Sequence, residues 1–118
     1  MNNRPKIETL LLGIFSVMFA FSAVAAENES VDAKAMYKLA QSEHCLRCHA
    51  VTKKKEGPTY VSIAKSYKGN KDAEGILFDH ITKGDKVKLS DGHKEAHKAI
   101  LDKSPEEIKN LVRWILAQ

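Results

Sequence analysis

The feature that most constrains this chain is the run Cys45-Leu46-Arg47-Cys48-His49, which contains both of its cysteines. C-x-x-C followed at once by histidine is the attachment signal for haem c. Two thiols at this spacing can add across the two vinyl groups of one haem, and the adjacent imidazole then lies beneath the iron. The run therefore predicts one covalent haem c, held by Cys45 and Cys48, with His49 as an axial ligand.

Three other uses of the two cysteines fit the chain less well. A thioredoxin-like redox pair needs a strand–helix–strand context, and the sequence shows no strand pattern. A structural zinc site needs a second ligand pair, which His93 and His97 could supply. A structural disulfide would leave the role of His49 unexplained. Haem attachment is the use that accounts for all three residues of the motif.

The first 25 residues have the pattern of a secretory signal peptide. A short polar stretch with Arg4 and Lys6 precedes the apolar run LLLGIFSVMFAFSAVA, which ends in small residues. This order is typical of a cleaved export signal, whereas the alternative, an uncleaved membrane anchor, requires a longer apolar span. The sequence predicts cleavage after Ala25 or Ala26, a mature soluble domain over 26–118 and a periplasmic location.

The charge of the chain excludes one large class of function. The whole chain has a net charge of +4, and loss of Arg4, Lys6 and Glu8 with the signal leaves +3. Two ionised haem propionates would bring the loaded protein close to neutral, unlike a strongly basic nucleic-acid binder. A chain of this length also forms only a modest apolar core, which a cofactor would supplement.

Apolar spacing predicts four helices after the signal. The first runs from about Val31 to His44, the second carries Tyr60 to Tyr67, and the third begins near Asp72 and ends at Gly84. The last helix starts at Ser104-Pro105-Glu106-Glu107, which has the composition of a helix N-terminus. The segment from 85 to about 103 is polar, contains histidines and has no regular pattern. The chain is therefore predicted to be all-α.

The order of these segments resembles the class I monohaem cytochromes c, particularly the short bacterial type. The resemblance is carried by LAQSEHCLRCHAV, KKKEGPTY, KSYKGNKDAEGILFDHITKG and SPEEIKNLVRWILAQ. It implies a fold of four or five helices wrapped around one covalently bound haem, with the first and last helices crossing near one haem edge. It also implies that the Pro58 carbonyl accepts a hydrogen bond from the His49 ring and orients it. The side chains expected at the helix crossing are Leu39, Ala40, Leu111, Trp114 and Ile115.

The chain departs from this family at the second axial ligand, which is usually a methionine in the loop ahead of the last helix. Its methionines are Met1, Met18 and Met36, so none lies in that loop. The first two lie in the signal, and Met36 lies on the first helix, where packing in the core is expected. A histidine is therefore the expected replacement.

Two histidines lie in the segment where the methionine would be. Counting back from Ser104 places His97 at the position of the ligand. Counting forward from Gly84 ends close to His93, because this loop is longer than usual. His97 is the predicted distal ligand and His93 is the alternative, whereas His80 is expected at the surface or the haem edge.

Ligation by two histidines predicts an electron carrier. A second imidazole favours Fe(III) more than a thioether does, so the reduction potential should lie below that of a His/Met relative. Two filled axial positions suit outer-sphere electron transfer and leave no place for a substrate, so no enzymatic activity is expected. Redox-partner proteins would dock at the exposed haem edge, attracted by lysines around it. The candidate lysines are Lys53, Lys54, Lys55, Lys65, Lys86, Lys88 and Lys94.

A second function, from a different class, is open at the level of sequence. If the distal histidine is labile or unbound, the iron could take a diatomic gas or peroxide, as in a sensor or a weak peroxidase. The arginine that usually assists peroxide chemistry has no clear candidate, because Arg47 lies within the haem motif and Arg113 in the last helix. The sequence also does not separate a free carrier from a dedicated subunit of one dehydrogenase.

Overall fold

The computed structural model describes residues 31–118, so the predicted signal peptide lies outside the described residues. This part of the chain contains four α-helices, one short 3-10 helix and one β-hairpin. In chain order they are α1 (Ala33–Ser42), the 3-10 helix (Cys45–Arg47), α2 (Tyr60–Ser66), α3 (Ala73–Lys83), β1 (Lys86–Lys88), β2 (Lys94–Ala96) and α4 (Pro105–Leu116).

Side chains that cap the first N–H groups fix where two of the helices begin. The Asp32 carboxylate accepts hydrogen bonds from the first-turn N–H groups of α1 at 3.0 and 3.1 Å. In α4, Ser104 and Glu107 form a reciprocal capping box. Pro105 occupies the first turn, where its missing N–H costs no hydrogen bond within the helix. These groups satisfy backbone donors that would otherwise lack partners. Both starts agree with the sequence prediction to within two residues.

The helix α3 ends at a glycine in the left-handed conformation. Gly84 has φ +69°, in the left-handed region that glycine adopts at low cost, and its N–H donates to the His80 carbonyl at 3.3 Å. The helix thus stops where the sequence predicted. A Cβ at this position would lie 2.8 Å from the His97 carbonyl oxygen, so a glycine also lets the later segment approach closely.

The hairpin corrects the expectation that this chain contains no strand. β1 pairs antiparallel with β2, with Val87 opposite Glu95, and the turn between them includes Gly92 at φ +91°. Leu89 N–H donates to the His93 carbonyl at 2.9 Å and closes the turn. A three-residue turn with a left-handed glycine matches the right-handed twist of paired strands. The pairing spans only six residues, so the all-α class still describes the fold.

The core is built mainly by α4, which contacts α1, α2 and α3. It contributes Ile108, Leu111, Trp114 and Ile115 to one cluster that Ala40 of α1 joins, with Leu39 and Met36 packed against it. The predicted contact between the first and last helices is therefore present. Ile76 of α3 is 43% exposed, so it lies outside this cluster. None of the helices within 31–118 is long and apolar enough to cross a membrane.

Replacing Leu111 with alanine should lower the free energy of unfolding of the holo-protein by about 2–5 kcal/mol, because this side chain is fully buried and leaves a cavity. Urea unfolding followed by tryptophan fluorescence measures the change. Leu101→Ala is the matched control, since Leu101 is 81% exposed and its truncation should change the free energy by no more than about 0.5 kcal/mol. Equal losses in the two variants would contradict this description of the core.

Candidate haem-binding site

The CxxCH motif follows a sharp reversal at the end of α1. His44 has φ +62°, the one left-handed non-glycine residue within 31–118, and the chain then enters the 3-10 helix at Cys45. The N–H groups of Cys48 and His49 both donate to the Cys45 carbonyl, at 3.3 and 3.0 Å. The turn therefore presents both thiols and the imidazole to the same cavity.

A backbone carbonyl orients the His49 ring. Nδ1 of His49 lies 2.7 Å from the Pro58 carbonyl oxygen, so Nδ1–H donates and Nε2 keeps its lone pair. Tyr60, which is buried, stacks on the same ring with centroids 5.6 Å apart. A Cβ on Gly57 would lie 2.6 Å from Cε1 of His49, so glycine is required for this close approach.

The cavity in front of His49 has a volume of about 810 Å³, within the range of cofactor sites. Its walls are mostly apolar and come from the motif, the hairpin and three of the four helices. They include Cys45 and Cys48 from the motif, Ile63 and Tyr67 near α2, Leu77 and Ile81 of α3, Val87 and Leu89 at the hairpin, and Leu111, Val112 and Ile115 of α4. Two thiols, a lone-pair nitrogen and an apolar cavity of this size fit a covalently attached haem.

His97 also lines this cavity, one residue after β2. Its backbone N–H donates to the Asp85 carbonyl at 2.9 Å, and its ring Nδ1 lies 3.0 Å from the Lys98 carbonyl oxygen. As with His49, this hydrogen bond leaves Nε2 as the nitrogen available to a metal. The segment is also anchored at Ile100, whose N–H donates to the Ile81 carbonyl of α3 at 2.8 Å.

The rings of His49 and His97 have centroids 6.1 Å apart and planes at 51°. A metal–imidazole bond is about 2.0 Å long and a ring nitrogen lies about 1.1 Å from its centroid, so two imidazoles on opposite sides of one ion have centroids about 6 Å apart. The separation of these two rings fits that value. His93 lies instead at the hairpin turn, with its ring nitrogens 2.5 Å from Asp91 and 3.7 Å from Glu95.

His80 lines the same cavity, next to His97. Its ring centroid lies 4.5 Å from that of His97, and its Nδ1 lies 3.7 Å from an oxygen of Asp85. Burial, with a smaller contribution from His80, lowers the pKa of His97. The neutral form of His97 is thus favoured at neutral pH, which is the form that binds a metal.

Cys45 and Cys48 are both free thiols, so they are not joined in a disulfide. Burial raises the pKa of the Cys45 thiol, which disfavours the thiolate that redox exchange requires. Within 31–118 the structure forms no cluster of three or more histidine, cysteine or acidic side chains able to hold a metal ion by themselves.

Comparison with known proteins decides the family. The family profile described as Cytochrome c matches residues 33–118. The chain belongs to the cytochrome c family. Its members carry one covalently bound haem c and transfer electrons between redox partners, so this chain is a haem c protein and an electron-transfer cytochrome. The predicted fold class and cofactor are confirmed.

Individual relatives agree with this assignment. The class 1 cytochrome MtoD of Sideroxydans lithotrophicus ES-1 is 49% identical with a TM-score of 0.73, over 75% of this chain and 97% of that one. Cytochrome c552 of Nitrosomonas europaea is 28% identical with a TM-score of 0.57, over 69% of this chain and 96% of that one. Cytochrome c2 of Rhodocyclus tenuis is 35% identical over 67% of this chain and 87% of its own length. The match to cytochrome c-552 of Hydrogenobacter thermophilus, at 45% identity, covers 40% of this chain and 48% of that protein.

Gly57→Ala should displace the His49 ring from the Pro58 carbonyl, because the added Cβ would lie 2.9 Å from Nδ1 of His49. We expect unfolding of the holo-protein to become easier by about 1–3 kcal/mol, together with a change in its absorption spectrum. Urea unfolding and the spectrum of the purified cytochrome measure both effects.

Gly75→Ala is the control for this variant. Gly75 lies in α3 with nothing within 4 Å of an added Cβ, so the change should stabilise the helix by up to about 1 kcal/mol. An unaltered spectrum and stability in Gly57→Ala would mean that the His49 ring does not depend on this close approach.

Proposed function

We propose that this cytochrome is an electron carrier whose iron is held by His49 and His97, with covalent attachment through Cys45 and Cys48. The observation that carries the proposal is the pairing of the two imidazoles. Their centroids are 6.1 Å apart, and each uses Nδ1 to donate to a backbone carbonyl, which leaves each Nε2 for the metal. Pro58 acts in this arrangement as the acceptor that fixes the orientation of His49.

Haem, when bound, supplies an iron that alternates between Fe(II) and Fe(III). His49 and His97 would both bind this iron, so that electron transfer would require no bond to break and no substrate to enter. An imidazole from His97 in place of a thioether stabilises Fe(III), so we propose a reduction potential lower than that of His/Met relatives. The same occupancy argues for a carrier and against an enzyme.

We further propose that the chain is exported to the periplasm and cleaved after Ala25 or Ala26. Support comes from the charged, apolar and small-residue order of the first 25 residues, which lie outside the described part of the structure. An export signal is also consistent with the use of both cysteines for haem. The mature domain would then be 26–118.

Acidic redox partners are proposed to dock at exposed lysines near the haem site, of which Lys88 lines the cavity. All seven candidate lysines are exposed. On the hairpin, Lys88 faces Lys94 directly across the strands, and Lys86 shares their face of the ribbon. Like charges at directly opposed positions destabilise a strand pair. Within 31–118 no ion pair includes any of these three lysines, so their charge is available to a partner.

Distal ligation by His97 is tested with carbon monoxide, which binds reduced haem only where a protein ligand is absent or leaves. We expect the spectrum of the reduced wild-type cytochrome to be unchanged by the gas over minutes. His97→Ala should retain covalent haem, become high-spin and shift at once on addition of the gas. The absorption spectrum before and after addition reports each outcome.

Two further variants complete this test. His93→Ala is the control and should behave as the wild type, because its ring pairs with Asp91 and Glu95. Since His80 lies 4.5 Å from His97, the double variant His80→Ala/His97→Ala shows whether His80 replaces the missing ligand. A rapid shift in the wild type would instead favour the alternative function, gas binding or weak peroxide chemistry at an open distal site.

Lysine docking is tested with small charged oxidants in place of the partner. Lys88→Gln/Lys94→Gln should slow oxidation of the reduced cytochrome by anionic hexacyanoferrate(III) and speed its oxidation by a cationic ammine complex, both effects fading as salt is added. Stopped-flow absorbance measures the rates. Lys34→Gln/Lys38→Gln, the same charge change on α1, is the control. Equal effects in the two variants would argue against a docking role for the hairpin.

A further inference from the structure

Glu43 is the one buried charged or polar side chain of the described residues, with 6% of its surface exposed. It caps the C-terminus of α1 and precedes Cys45 by two residues. A carboxylate withdrawn from water is costly unless other groups compensate for the lost hydration. The partners of Glu43 therefore indicate what its burial achieves.

Two lysines from one distant segment compensate for that cost. Oε2 of Glu43 lies 3.3 Å from Nζ of Lys98, and Oε1 lies 3.3 Å from Nζ of Lys103. Nζ of Lys98 also donates to the backbone carbonyl of Glu43 at 2.8 Å. Both carboxylate oxygens and the main chain at the end of α1 are thus bonded to the segment between β2 and α4.

Lys98 connects this contact to the haem site. Its carbonyl accepts the hydrogen bond from Nδ1 of His97, while its side chain reaches Glu43. The segment from 97 to 103 is held on its other side by hydrogen bonds from His97 to Asp85, which follows α3, and from Ile100 to Ile81 of α3. Glu43 supplies the attachment on the side of the CxxCH motif, so the segment is held at both edges.

We propose that Glu43 is a positioning residue for the distal ligand. It acts through Lys98 to keep the His97 ring at its distance from the His49 ring. This inference rests on the proposed ligation by two histidines. Removing one partner of a buried ion pair lowers stability in its own right, so the placement of His97 is measured separately from unfolding. Without the carboxylate, only the hydrogen bond from Lys98 to the Glu43 carbonyl would hold the segment on this side, and His97 would leave the iron more often.

The test is the rate at which carbon monoxide binds to the reduced holo-protein, because the gas enters only when His97 has left. Glu43→Gln keeps the shape of the side chain and removes its charge. We expect binding to become faster by about tenfold or more, with a larger high-spin fraction in the spectrum. A role confined to stability would lower the unfolding midpoint and leave this rate unchanged at a temperature where the protein is folded.

Asp102→Asn is the matched control. It removes one negative charge from a residue that also pairs with Lys103, at 3.0 Å, but its side chain is 70% exposed and does not reach Lys98. The rate for this variant should equal that of the wild type. Equal acceleration in Asp102→Asn and Glu43→Gln would show an effect of net charge and would overturn the proposal.

Changes at Lys98 test the same contact from its other side. Lys98→Met should speed carbon monoxide binding as Glu43→Gln does, whereas Lys98→Arg should keep the slow rate of the wild type. The double variant Lys98→Met/Glu43→Gln should bind the gas little faster than either single variant. If Glu43→Gln yields no holo-protein, the Lys98 pair gives the decisive comparison, because this half-exposed side chain tolerates replacement. Equal slow rates in Lys98→Met and Lys98→Arg would overturn the proposal.

The wild type distinguishes a failure of ligation by His97 from a failure of the positioning role of Glu43. Rapid carbon monoxide binding by the wild type would refute the closed distal site, and the role of Glu43 would be refuted with it. Slow binding by the wild type and by Glu43→Gln alike would refute the positioning role alone and leave ligation by His97 intact.

Discussion

The packing of α4 against the other three helices is the interaction on which the rest of the structure depends. The same side chains of this helix, among them Leu111 and Ile115, close the core on one side and line the haem cavity on the other. Cys45 and His49 lie on one segment that lines this cavity, and His97 lies on another. The distance between the two segments is therefore set by how the helices pack. Because the apolar core of this chain is small, a haem in the cavity would supply much of the buried apolar surface on which the packing of the helices depends.

Much of this arrangement was predictable because its signals are local. The motif at residues 45–49 specifies its cofactor by spacing alone, and the Ser104 capping box and Gly84 mark helix ends by the backbone groups they satisfy or the dihedral angles they permit. Each of these features involves residues within a few positions of one another. The position of Pro58 followed from the resemblance to cytochromes c, and its carbonyl lies at hydrogen-bonding distance from His49.

What the sequence did not predict depends on pairing between distant segments. The hairpin had a usable signal in the alternation KVKL followed by Asp91-Gly92, which favours a tight turn. Glu43 had none, because its partners lie 55 and 60 residues further along and any acid near a helix end is expected to be exposed. The competition between His93 and His97 arose from loop length. In the structure the hairpin takes up the additional residues, and the ring of His97 lies 6.1 Å from that of His49.

The hairpin also has a consequence for protein engineering. Its two ends are adjacent, because the His97 N–H bonds to the Asp85 carbonyl at 2.9 Å. Residues 90–92 at the tip can therefore be exchanged for a longer peptide while the chain enters and leaves at unchanged positions. A surface-binding sequence grafted there would attach the cytochrome to an electrode or a mineral in one orientation, with the hairpin, whose residues line the haem site, facing the conductor.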